Sequence, residues 1–469
     1  MKRPIPKKAI IVGGGIGGLT AAYNLIQSDS PYDVTLLEAM PRLGGSIQSG
    51  TESDCTLEFG ADSLIQTKPA ARALATSVGI SDDDIIATRP EARTCYIVHN
   101  GQLHPIPEGF YLMVPGRLGP WFKTPLISLR GKLRVLIDLV LPRGPGGDES
   151  LASFVRRRLG GEVLERLAQP LVAGIYGADP EQLSLQSTMP QFPDLEKKHR
   201  SLLLGMRAQR TRMATKGSSG ARYSLFYSFK GGLQRLPDAV IKAISPHVDI
   251  QLDTQAATVD RSDDGQWHVT TNTGTRHTAD VLIMAVPAWQ AAFLLANCVP
   301  DLATTLRDIP YGSVATINLG YRKEQIAKLP DASGFVVPRA ESDSIIACTF
   351  AHQKYPNRVP EDLILLRAFA GGSGREAVLN EDDQALTRRV TGELSAWLNI
   401  EGEPAFIRLN RYDKCMAQYT LGHRERLTRI RAIEKTHTGL ALIGNAYEGI
   451  GIPDVVQQAN DAVERLNAV

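Results

Sequence analysis

"KKAIIVGGGIGGLTAAYNLIQ", residues 7–27, decides the fold. Residues 8–12 are a short, β-rich apolar run, and Gly13, Gly15 and Gly18 then spell G-x-G-x-x-G. Leu19, Ala22, Tyr23 and Ile26 keep the spacing of one helix face. A second apolar run, "YDVTLLE", ends at Glu38, 20 residues past Gly18. Strand, glycine turn, helix, strand and acid in this register predict a dinucleotide-binding βαβ unit. Gly13 permits the tight turn, Gly15 lets backbone approach a pyrophosphate, and Gly18 lets helix pack on strand. The helix N-terminus offers free N–H groups and positive potential to phosphates. Glu38 is placed for ribose hydroxyls.

"PRLGGSIQS", residues 41–49, follows at once. Arg42, Gly44 and Gly45 form the R-x-G-G element seen beside the first unit of glutathione-reductase-like and amine-oxidase-like flavoproteins. An arginine and two glycines meet a pyrophosphate from its other side by charge and backbone. The pair of motifs resembles FAD binding, and with no second G-x-G-x-x-G a separate NAD(P)H site is not expected. That points to an oxidase with oxygen or a quinone as acceptor.

The remaining sequence narrows the class. A net charge of +2 over 469 residues excludes a global field that selects nucleic acid. Five scattered cysteines without a C-x-x-C pair suggest reduced thiols and a cytoplasmic setting, with no metal site. The N-terminal apolar run is too short for a signal peptide, and no stretch has the length of a spanning helix. "KLRVLIDLVLP", 132–142, reads as a core helix, with surface attachment to a membrane left open.

The predicted architecture is α/β with α+β: a discontinuous FAD-binding dinucleotide fold, a mixed-sheet substrate lobe and a helical insertion. Residues 1–92, 222–300 and 420–469 make the FAD-binding domain. Residues 93–108 and 301–419 make the sheet domain, and 109–221 the helical insertion. "RTCYIVHNGQLHPIP", 93–107, reads as a hairpin around Asn100-Gly101. "DVLIMAVP", 280–287, is continuously apolar, as a parallel strand covered on both faces is. The substrate cleft is expected where the lobes meet.

The chain closes on "GNAYEGIGIPDVVQQANDAVERL", 444–466. Val455, Ala459, Ala462 and Leu466 share a helix face, and Pro453 suits a first helical turn. Gly449 and Gly451 allow a backbone against which a planar ring presses. The helix start then favours negative charge on the ring's edge. Alone, the segment reads as well as a helix docked on the core.

"QPLVAGIYGADPEQLSLQSTMPQF", 169–192, looks like the signature of protoporphyrinogen oxidases. "EKKHRSLLLGMR", "GFVVP", "ACTF", "LLRAFAGG" and "YEGIGIPD" are similar to that family's Gram-positive-type branch, which acts mainly on coproporphyrinogen III. The resemblance runs from residue 9 to about 466. It implies an FAD-dependent enzyme of haem synthesis that removes six electrons and six protons from a porphyrinogen, with oxygen as final acceptor and peroxide as by-product. It also implies a hand-off to a downstream haem-synthesis enzyme and a cytoplasmic location, peripheral to the membrane or free of it.

The cofactor residues carry over as Gly13, Gly14, Gly15, Ile16, Gly17 and Gly18, then Glu38, Ala39 and Ser46. Gly60, Ala61, Asp62, Ser63, Ile450, Gly451 and Ile452 follow. A strand contact to adenine falls on Ala257, with Val259 within register error, and an aromatic near the flavin falls on Tyr412. The family more often has Trp there and Pro at Ala417. Lys68 matches a pocket lysine and is the catalytic candidate, although it reads equally as a solvated surface lysine. The basic run with Lys198, Arg200, Arg207, Arg210, Arg212 and Arg222 reads as a steering surface for four carboxylates or as a solvated face. Protoporphyrinogen IX as substrate, an amine oxidase or desaturase, and a non-catalytic flavin or tetrapyrrole binder stay open beside this reading.

Overall fold

Lys8–Val12 alternates between two helix-covered faces and takes the centre of a five-stranded parallel sheet. The strand order is Val248–Gln251, Asp33–Leu37, Lys8–Val12, Val281–Met284, Leu440–Leu442. Ile10 pairs in register with Thr35 on one side and Leu282 on the other, and Ile283 lies against Ala441. Ile11, Leu36, Leu282 and Ile283 are fully buried, as strands covered on both faces require. The computed structural model describes residues 6–29, 32–90, 92, 94–144, 146–215 and 226–468, with backbone alone for 210–215. The side chains of Arg210 and Arg212, and Arg222 altogether, lie outside the described residues.

Helices Ile16–Ile26 and Ile452–Asn467 pack together on one face of this sheet. Asn24 donates to Asn460 at 2.8 Å across that contact. Val455, Val456, Ala459, Ala462 and Val463 of the second helix are buried there, following the periodicity in the sequence. A three-stranded antiparallel sheet, residues 256–279, precedes the fourth parallel strand.

The second large sheet has seven strands and mixed direction. The hairpin Cys95–His99/Gln102–Pro105 turns at Asn100 and Gly101, both with positive φ, and Gly334–Val336 joins it in parallel. Helix Asp383–Leu398 covers the outer face. Asp382 caps its start, and Leu386, Val390, Leu394 and Leu398 at helical spacing are buried against Ile317, Leu319 and Leu366. The inner face meets residues 55–59 through an apolar cluster, Cys55, Leu57, Leu363, Leu365 and Phe406, and through polar contacts. Thr316 donates to Phe59 O at 2.7 Å and Asn318 to Glu58 O at 3.1 Å.

Helices dominate 118–215. One expectation is overturned here. Residues 132–142 do not form a core helix: Leu129–Leu136 is α-helical and Ile137–Leu139 a 3₁₀ turn. The inward positions of this element are Gly131, Val135 and Asp138. Asp138 is fully buried 2.5 Å from the Arg158 guanidinium, and Ser201 donates to it at 2.6 Å. Since that pair claims the inside, Leu129, Leu133, Ile137 and Val140 face outward, Val140 at 73% exposure.

Candidate functional site

Five loops at the carboxyl ends of the parallel strands surround a cavity of about 680 Å³. Gly13, Gly15 and Gly17 form its floor. A Cβ on Gly15 would meet nothing within 4 Å, whereas one on Gly18 would stand 2.0 Å from Gly13 O. Gly15 is therefore the open cradle and Gly18 the packing contact, as their spacing predicts. No side chain caps the helix that starts at Ile16, so its first N–H groups remain available. Gly14 is turned away from the cavity and donates to the Glu38 carboxylate at 2.6 Å, which also accepts from Met40 N at 2.9 Å. Glu38 and Ala39 line the cavity at the strand end.

The R-x-G-G loop seats directly on the glycine turn. Gly44 N donates to Gly14 O at 2.9 Å, and Gly44, Gly45 and Ser46 line the cavity. Arg42 does not reach it. Its guanidinium folds back to donate to Leu43 O and Gln48 Oε1, both at 3.1 Å, and to Gly45 O. Arg42 thus sets the shape of the loop that presents the glycines instead of presenting its own charge.

The "GADS" run lies one layer behind. A Cβ on Gly60 would fall 1.7 Å from Ser46 O, so Gly60 presses on a lining residue without lining the cavity itself. Asp62 and Ser63 join a partly buried ionic network instead. Lys354 Nζ sits 2.8 and 2.9 Å from the Asp62 oxygens, Arg367 lies 3.7 Å away, and the Ser63 hydroxyl donates to Asp62 at 2.6 Å. Burial works to raise the Asp62 carboxyl pKa, but Lys354 and Arg367 hold it well below the usual carboxylate range. Burial pushes Glu58 up against the pull of Arg358, 3.0 Å away. Arg367 stacks over Phe369 at 4.6 Å and donates to Gly60 O. This network ties the second sheet to residues 58–63 behind the cavity.

Tyr412 is half-buried beside the same network. Its hydroxyl, Arg367 Nε and Asn318 Oδ1 are buried without a hydrogen-bond partner among the described residues. Burial raises the Tyr412 phenol against Arg367 and Arg42. Its strand reaches the cavity three residues later, at Cys415, whose thiol burial pushes up to about 11.

The chain end forms the opposite wall. Ile443, Gly444, Asn445, Ile450, Ile452 and Val455 line the cavity. Gly449 and Gly451 are not among its lining residues: both face Asp454, and Gly449 lines a second chamber of about 320 Å³. Ile450 lines both spaces, so one backbone turn separates them. The Tyr419 hydroxyl holds this turn: it accepts from Gly449 N at 2.8 Å and donates to Asn445 O at 3.0 Å. His423 stacks on Tyr419 with ring centroids 4.0 Å apart. Burial lowers its pKa to about 4, so it is neutral at pH 7. Lys68 pairs with Asp454 at the chamber's edge.

Sequence reasoning missed part of the first cavity. Trp289, Gln290, Phe293 and Leu294 line it from helix Ala288–Leu294, and Thr254, Gln255 and Ala256 line it from the loop after the third parallel strand. Ala257 and Val259 are not among the lining residues. A bulge between Ala256 and Thr258 moves the approach to the residues before them. Position was the available signal, since both segments follow parallel strands, where ligands of such sheets bind. The exposed aromatics Trp289 and Phe293 were another.

The residues present fit a flavin dinucleotide. There is an open glycine cradle under uncapped helix N–H groups, an acid at the second strand end, and a largely apolar far wall with a helix start behind it. The sequence model of flavin-containing amine oxidoreductases matches residues 16–467. The chain is 33% identical over 463 residues to the coproporphyrinogen III oxidase of Bacillus subtilis (strain 168), covering 97% of each. It is 33% identical to that of Staphylococcus aureus (strain NCTC 8325 / PS 47), over 98% of this chain and 99% of the other. A crystal structure from Exiguobacterium sp. 255-15, provisionally assigned as a protoporphyrinogen oxidase, superposes with a TM-score of 0.87 at 32% identity. It covers 98% of this chain and 99% of its own.

Proposed function

The chain belongs to the flavin-containing amine oxidoreductase family, and from that premise we propose that it oxidises coproporphyrinogen III to coproporphyrin III with dioxygen as acceptor. Its cofactor is FAD. The observation that carries the substrate is the full-length likeness to coproporphyrinogen III oxidases, in a chain whose cofactor cavity and cation-edged chamber share one backbone turn. When bound, FAD would supply the two-electron acceptor for each step, with dioxygen as the final oxidant and peroxide as its product.

The protein's own part is binding, orientation and exclusion of water. The glycine turn and Ser46 seat the cofactor, and Ile450 and Ile452 close the far wall. Lys68 and Arg424 place positive charge where a substrate carboxylate enters. His423 does not act as a base: Nε2 bonds Tyr447 O at 3.3 Å, and Nδ1 faces Arg426 at 3.4 Å. The Tyr176 phenol, pushed up to about 12 by burial and then Asp454, stays protonated at neutral pH. Position and electrostatics therefore carry the reaction, without a strong general base.

Purified protein given each porphyrinogen separately, with porphyrin fluorescence and oxygen uptake followed, tests this. Faster turnover of coproporphyrinogen III is expected, and equal or faster turnover of protoporphyrinogen IX would overturn the substrate preference.

Among the described residues, no helix is long and apolar enough to cross a membrane. The location proposed is the cytoplasm, with the outward stripe Leu129, Leu133, Ile137 and Val140 resting on a bilayer surface. The product then passes to the next haem-synthesis enzyme. Co-sedimentation with vesicles, lost in Leu133→Asp/Val140→Asp, checks the surface contact; equal sedimentation of the variant would remove it.

A further inference from the structure

The Lys68 ammonium lies 2.6 and 2.7 Å from the two carboxylate oxygens of Asp454. The two residues stand 386 positions apart. Asp454 belongs to the first turn of the closing helix, where an acid serves as a cap and complements the helix dipole. Its Oδ2 does accept from Gly451 N, but at 3.3 Å, beyond the usual range of an N–H···O bond. One carboxylate thus has two claimants, and Lys68 holds it more closely than the turn beside the cofactor cavity does.

Among the described residues that line the chamber, no other anion is open to Lys68. Glu448 is held by Arg431 at 2.7 and 2.5 Å. Tyr176 is protonated and His423 neutral at pH 7. Arg424, the other cation of the chamber, has no ion-pair partner among the described residues. Lys68 is 49% exposed and Asp454 15%, so an incoming anion meets the ammonium before it meets the carboxylate.

We propose that Asp454 is a positioning residue that holds Lys68 at the chamber until a carboxylate of the substrate takes over the ammonium. Asp454 then returns to the Gly451 N–H. The exchange replaces one ion pair by another and moves no proton. It also couples occupancy of the chamber to the turn that carries Ile450 into the cofactor cavity. The ligand class is a macrocycle bearing several carboxylates, and in this the inference rests on the porphyrinogen reading given above.

The test is the affinity of the flavin-loaded protein for coproporphyrin III, read by fluorescence quenching, in wild type, Asp454→Asn and Lys68→Met. Asparagine keeps an oxygen for Gly451 N–H but cannot compete as an anion, so binding should tighten about five-fold. Methionine removes the ammonium, so binding should weaken about five-fold, as expected for partly exposed ion pairs. A pair that served only to stabilise the fold would shift both variants in the same direction or neither, and either result overturns the exchange. Amide hydrogen exchange at residues 449–452 should slow on porphyrin binding in wild type and less so in Lys68→Met; equal slowing would also overturn it. Absence of turnover with either porphyrinogen would refute the enzyme reading, and the opposite shifts in affinity would still be measurable.

Discussion

The two walls of the cofactor cavity are built by different physics. The N-terminal wall is backbone on backbone. Gly18 lets the first helix sit against Gly13 O, Gly44 N bonds Gly14 O, and a Cβ at Gly13 would stand 2.5 Å from Ala285 O. The C-terminal wall is a turn held by side chains from elsewhere: the Tyr419 hydroxyl on Gly449 N and Asn445 O, Asn445 Nδ2 on Cys415 O at 2.9 Å, and Asp454 between Lys68 and Gly451. Close-packed backbone admits no added atom, whereas a turn fixed by hydrogen bonds yields by degrees. The first wall should therefore break and the second should loosen.

Gly18→Ala tests the first wall and should have the largest effect. Its Cβ has no room beside Gly13 O, so a loss of about 3 kcal/mol and of bound flavin is expected. Near-normal flavin content after purification would show that this wall yields too. Gly449→Ala comes next, at about 2 kcal/mol. Its φ of +132° suits glycine alone, and its Cβ would lie 2.4 Å from Asp454 Cγ, although a side chain can move aside. Chemical denaturation of both variants ranks them, and a larger loss at Gly449 would invert the comparison. Gly451, at φ −80°, meets Asp454 Oδ2 only at 3.1 Å and is the more forgiving of the closing glycines.

Tyr419→Phe deletes the hydroxyl shared by Gly449 N and Asn445 O. About 1.5 kcal/mol should be lost, and flavin should dissociate several-fold faster. Stopped-flow flavin release reads this directly, and an unchanged rate would mean that packing alone holds the turn. The smallest expected effect is that of pH. Burial lowers the His423 pKa to about 4 from an ordinary 6.5, so the unfolded chain binds the proton more readily. Stability is then complete above about pH 6.5 and falls as pH drops toward 4, by about 1 kcal/mol at pH 5.5. His352, also lowered to about 4 by burial, acts in the same window. Melting temperatures from pH 7 to 5 should therefore slope less in His423→Gln, and an equal slope would place the proton uptake elsewhere.

Much of the first wall was legible because its determinants are neighbours in sequence. Residues 8–38 contain the strand, turn, helix and acid, and the structure keeps the register. The hairpin at Asn100-Gly101 and the buried strand at 281–284 were legible for the same reason. The cavity lining on this side falls on Thr254–Ala256 and not on Ala257, the expected residue, because a bulge is not visible in hydrophobic alternation. Residues 132–142 looked like core because their apolarity is plain, and the buried Asp138–Arg158 pair that turns them outward is a tertiary fact. Arg42 and Asp62 carried the right charges near the right loops, but their partners, Gln48 and Lys354 with Arg367, decided which way they point.

The sequence by itself determined the cofactor fold, because glycine spacing and strand periodicity act over distances of a few residues and leave one steric solution. It also carried the family likeness, in motifs spread along almost the whole chain. Only the tertiary structure decided which side chains meet across 292 residues at Asp62–Lys354, or 386 at Lys68–Asp454. It alone showed that Gly449 lines a second chamber, that Ile452 lines the cofactor cavity, and that Ile450 lines both. Those outcomes depend on how separately formed layers pack, and no local pattern encodes the partner a buried charge will find.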